Sequence, residues 1–170
     1  MMAAKLGLTS LATDKDLYTE LLTLLELVET DMTIFYRQLA QISTQSSVSD
    51  DVLMAPLMTA YYVPEQLTPD YKSRLISWLK AYIKRVQQDA TPDDVRRERM
   101  NAVNPKYVLR NYLAQLAIDQ AEQGDFSGVN DLLDCLRHPY DEQPDNAAFA
   151  EKRPDWASQR AGCSMLSCSS

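Results

Sequence analysis

From Asp14 to His138 the apolar residues recur three or four positions apart, and no stretch demands a strand. That spacing belongs to helices buried along one face, so the chain is expected to be all-α. A first helix, opened by Asp14 or Asp16, places Leu17, Leu21, Leu24, Leu25 and Val28 inward, with Leu22 broadening the face. A second runs from about Asp31 to Ile42, capped by Thr30 or Asp31, with Ile34, Phe35, Leu39 and Ile42 inward. After the polar loop from Ser43 to Ser49, Asp50 and Asp51 start a short helix that ends near Met58, before turn signals at Pro64 and Pro69. Pro69 to about Asp89 forms a long helix with Tyr71, Leu75, Trp78, Leu79, Tyr82, Ile83 and Val86 inward and Trp78 as core anchor. Thr91 then caps a helix with Pro92 at its first position, leading to Asn104.

The most legible segment is Asn104 to His138. Asn104 has the chemistry of an N-cap and Pro105 suits the first helical position, where no donor is needed. Leu109, Tyr112, Leu113, Leu116 and Ala117 fall on one face, Gly124 stops the helix, and Asp125 or Ser127 caps the next. Val129, Leu132, Leu133 and Leu136 continue the stripe until Pro139. Residues 1–138 therefore read as a helical domain, and residues 139–170 as an irregular tail lying on a surface.

A chain of 170 residues, 45% hydrophobic, suits one core burying roughly 70% of the unfolded surface. The net charge of -7 disfavours general binding to nucleic acid or anionic lipid. No stretch approaches the ~20 apolar residues of a membrane span, and the start carries no targeting pattern. A cytoplasmic protein is expected. The four glycines, Gly7, Gly124, Gly128 and Gly162, form no phosphate-cradling loop. The single histidine, His138, reads as a helix-end cap and leaves only one candidate base for nucleophilic chemistry.

Of the three cysteines, Cys135 lies on an apolar helix face and reads as core, whereas Cys163 and Cys168 fall in the exposed-looking tail. Their spacing, with one distant histidine, does not make a zinc site, and no metal is expected. The basic residues Arg96, Arg97, Arg99, Lys106 and Arg110 are interleaved with Asp93, Asp94 and Glu98, the pattern of a solvated, internally paired face. Asp141, Glu142 and Asp145 read as a solvated acidic turn.

Several segments together resemble the selenoprotein O (YdiU) family of protein adenylyltransferases. They are Lys5-Leu6-Gly7-Leu8, Asp31-Met32-Thr33 with Phe35-Tyr36-Arg37-Gln38-Leu39, and Met100-Asn101 through Asn104-Pro105-Lys106-Tyr107-Val108-Leu109-Arg110-Asn111-Tyr112. Gly124-Asp125, Pro139-Tyr140-Asp141-Glu142-Gln143-Pro144 and the terminal Ser167-Cys168-Ser169-Ser170 complete the set. Met32 stands where the family usually has Tyr, and about Ser43 to Pro64 shows little match.

The resemblance implies a much longer protein, with a kinase-like core that binds ATP and Mg²⁺ and transfers AMP to protein hydroxyls. The nucleotide and metal ligands of that core would precede Lys5, so no catalytic residue is carried over. The chain is expected to be the helical C-terminal region, silent alone, whose partners are the N-terminal kinase-like core and protein substrates. Self-association through a face normally covered by that core is a further expectation. Cys168 matches a position that holds selenocysteine or cysteine in the family, which makes it a redox candidate with Cys163 as a nearby thiol. Lys106 and Arg110 are candidates for contact with the core or its substrate. The rival reading is a freestanding helical-hairpin interaction module built on the Tyr112 to Leu136 pair.

Overall fold

A computed structural model describes residues 2–10, 14–45, 48–160 and 162–163. Among them the fold is all-α, with one isolated bridge between Thr30 and Tyr61 and no sheet. No helix is long and apolar enough to cross a membrane among the described residues. In place of a single core there are two compact units, Met1–Asn104 and Pro105–Ser170, each with its own buried cluster.

The first unit holds α1 (Met2–Lys5), α2 (Lys15–Leu27), α3 (Met32–Leu39), α4 (Asp50–Met54), α5 (Pro69–Gln88) and α6 (Asp93–Asn101). A 3-10 turn, Ala55–Ala60, extends α4. Two caps form as the side-chain chemistry dictates: Asp31 Oδ1 accepts from Ile34 N (3.0 Å), and Thr68 Oγ1 accepts from Tyr71 N (3.2 Å) ahead of Pro69. Asp31 also ties α3 to the loop after Ala60, because its amide donates to Ala60 O (2.8 Å) and its carboxylate accepts from Tyr62 Oη (3.0 Å). The helix begun at α6 has Pro92, not Thr91, at its cap, with Asp93 and Asp94 in the first turn. α5 runs through the centre of this core. Trp78 is buried, donates Nε1 to Leu17 O (2.8 Å), and stacks on Tyr82 with ring centroids 5.3 Å apart.

The second unit is built on α7 (Asn111–Ala121) and α8 (Ser127–Arg137), closed by Gly124 at a left-handed φ of 86°. The helix expected from Pro105 starts only at Asn111. Asn104 instead closes the end of α6, its amide donating to Met100 O (2.9 Å) and its side chain to Lys5 O (2.9 Å). The stripe assigned from spacing is also only half inward: Tyr112, Leu113, Ala117, Leu132 and Cys135 are buried, whereas Leu109, Leu116, Val129 and Leu133 are exposed. The tail supplies the missing cover. Two 3-10 segments, Pro144–Ala150 and Asp155–Ser158, bring Phe149 and Ala157 to the hairpin core.

Candidate functional site

The segments singled out in the sequence gather in two places, one in each unit. In the first, Gly7 (φ 67°) lies so near α6 that a Cβ there would stand 2.7 Å from Arg96 Cγ and 2.9 Å from Met100 Sδ, which explains the glycine. Arg96, expected on a solvated face, is 1% exposed. Its guanidinium donates to Ile42 O (2.5 Å), Ala40 O (3.4 Å) and Tyr82 Oη (3.1 Å), and Asp93 lies 3.4 Å away. Tyr82 in turn donates to Leu6 O (2.8 Å). Burial pushes the Tyr82 hydroxyl up to about 12, against the opposing pull of Arg96. Arg37 reaches the far end of α6, donating to Asn101 O and Asn104 O at 3.4 Å, while Lys5 Nζ sits 5.3 Å from the Tyr36 ring centroid. Lys5–Leu8, Tyr36–Arg37 and Met100–Asn104 thus meet as one polar joint around α6.

The second gathering latches residues 106–112 to 139–144. The amides of Lys106 and Tyr107 both donate to Pro139 O, at 2.7 and 3.1 Å. Tyr107, 1% exposed, donates its hydroxyl to Gln143 O (2.9 Å) and accepts from Gln143 N (3.2 Å). Gln143 Nε2 donates to two carbonyls at the end of α8, Cys135 O (3.0 Å) and His138 O (2.7 Å), adding to the backbone amides of His138 and Asp141 that those carbonyls also accept.

Lys106 is half-buried, ion-paired with Glu142 and 5.7 Å from the Tyr107 ring centroid, so the latch already engages its charge. Arg110 occupies the position immediately before α7 and is half-buried. Cys163 is not in an exposed tail: it is 3% exposed and packs in the hairpin core. Cys168 lies outside the described residues. Burial pushes the Cys135 thiol up, as its core position requires. Among the described residues no cluster of three His, Cys, Asp or Glu side chains could hold a metal ion. Sequence reasoning missed Arg96, Asn104, Tyr107 and Gln143 as joints; for the last three their presence within the recognised segments was the signal, whereas Arg96 lies outside those segments.

A family model described as "Protein adenylyltransferase SelO" matches residues 1–137. Among curated relatives, the "Protein nucleotidyltransferase YdiU" of Rhodopirellula baltica is 53% identical over 180 residues, covering 100% of this chain and 33% of the relative. The same-named protein of Aromatoleum aromaticum is 53% identical over 171 residues (100% and 32%), and that of Flavobacterium johnsoniae 46% over 171 residues (100% and 32%). The chain spans about a third of the length of the curated relatives it matches.

Proposed function

Because the chain belongs to the protein adenylyltransferase SelO family, we propose that it is the helical C-terminal region of such an enzyme, a cytoplasmic scaffold for a kinase-like core. That core, which the chain does not include, would bind ATP and Mg²⁺ and transfer AMP to hydroxyls of protein substrates. The observation that carries this reading is the use made of the recognised segments. Gly7, Arg37 and Asn104 are consumed in holding α6, and Tyr107, Lys106 and Gln143 in holding the end of α8. Side chains so engaged act as structure, and none is paired as nucleophile and base. Arg110, at the head of α7, stays a candidate for contact with the core. Cys163 is withdrawn from solvent, which leaves Cys168 as the thiol for the redox role that the resemblance implies.

Isothermal calorimetry with Mg-ATP tests the reading. The chain alone should release no binding heat, and the same chain fused behind the remaining two thirds of a relative should bind. Micromolar binding by the chain alone would refute it. The hairpin-module reading is disfavoured because, among the described residues, the α7–α8 hairpin is a single unit where stacked units normally number about three or more.

A further inference from the structure

The hairpin's second helix carries two apolar stripes. One, with Leu132 and Cys135, is buried in the hairpin core. The other consists of Phe126, just before the helix, with Val129 and Leu133; these recur at i, i+3 and i+7, so they share one side, and they are 60%, 40% and 48% exposed. Half-buried Leu136 joins the two stripes around the helix. A helix facing water on that side gains nothing from such a row.

Chemistry and size narrow the occupant. The charged neighbours Asp134 and Arg137 pair with each other at 2.6 Å, and the other exposed charges nearby are the carboxylates of Asp125 and Asp131, so the rim has no surplus of cations and suits an apolar segment better than a polyanion or an anionic lipid headgroup. Three half-exposed side chains offer roughly 300 Å², well under the ~800 Å² per partner of a stable dimer, so a second copy would be poorly held. One packed helix or strand is enough to cover it. The relatives are about three times as long as this chain, and the family match runs through residue 137, the last of α8.

We infer that the Phe126–Val129–Leu133 stripe seats an amphipathic segment from the two thirds of the family polypeptide that this chain does not span. The inference rests on reading the chain as the C-terminal part of that longer protein. The test compares the 170-residue chain with a fusion in which it replaces its counterpart in the Rhodopirellula baltica relative. Val129 and Leu133 are both changed to Gln, a good helix former that removes the apolar surface. The melting temperature of the chain alone should not move, while that of the fusion should fall by several degrees. An Asn130→Gln control should alter neither.

Equal melting of the substituted and unsubstituted fusions overturns the inference. So does an equal loss in the chain alone, which would place the stripe in its own core. A dimer of the chain by sedimentation that the substitutions dissolve would make the occupant a second copy. A parent fusion that folds but binds no Mg-ATP refutes the C-terminal assignment, and the inference with it. That failure is separable, because it appears before any substitution is made.

Discussion

A guanidinium held out of water must be met by acceptors, and for Arg96 these are the carbonyls of Ala40 and Ile42 and the hydroxyl of Tyr82. Arg96→Leu would leave those carbonyls without donors, and a loss of about 2–4 kcal/mol in urea unfolding is expected. Two of the left-handed glycines, Gly7 and Gly124, should separate by their surroundings. Gly7→Ala drives a Cβ into Arg96 and Met100, whereas Gly124→Ala meets nothing within 4 Å. The second change should therefore cost only backbone strain, about 1 kcal/mol, and the first clearly more, by the same measurement. Arg96 was illegible as a buried residue for a physical reason. Its sequence neighbours Asp93, Asp94, Arg97 and Glu98 pattern it as surface, and the groups that receive it lie 14 to 56 residues away.

At the scale of elements, the turn from α5 to α6 is held by two carboxylates. Burial pushes Asp89 and Asp93 up, but hydrogen bonds from Arg85 and Thr9 to Asp89, and from Thr44 and Ser43 to Asp93, hold both below their ordinary values. A carboxylate depressed in the folded state stabilises fully above its unfolded pKa, near 4, and loses that contribution as pH falls through the folded value. The melting temperature should drop on acidification below about pH 4, and Asp93→Asn should flatten that dependence. The same turn places Ala90 at φ 49°. Ala90→Gly should consequently cost little or stabilise slightly, by up to about 1 kcal/mol, as thermal melts would show. The long periodic helices α2 and α5 were legible because burial of one face dictates their spacing. The start of α7 was not. Asn104 and Pro105 have the chemistry of a helix start, yet the Asn104 side chain is drawn to Lys5 O, 99 residues away, and a local rule cannot register that competition.

Across the whole molecule, two separate buried clusters mean that damage in one unit need not be felt in the other's core. Tyr107→Phe removes the hydroxyl that both donates to and accepts from Gln143. Hydrogen exchange should rise around residues 105–108 and 139–144 while α5 keeps its protection. The division was invisible in the sequence because helical periodicity reports that a face is buried, not which cluster receives it. It has a practical side. The chain's two tryptophans are divided between the units: Trp78 is buried and stacked on Tyr82, and Trp156 is half-exposed and edge-on to Tyr112. Each unit thus carries its own fluorophore in a different solvent environment. With Trp78→Phe or Trp156→Phe, intrinsic emission becomes a separate optical record of each half's unfolding, with no added label.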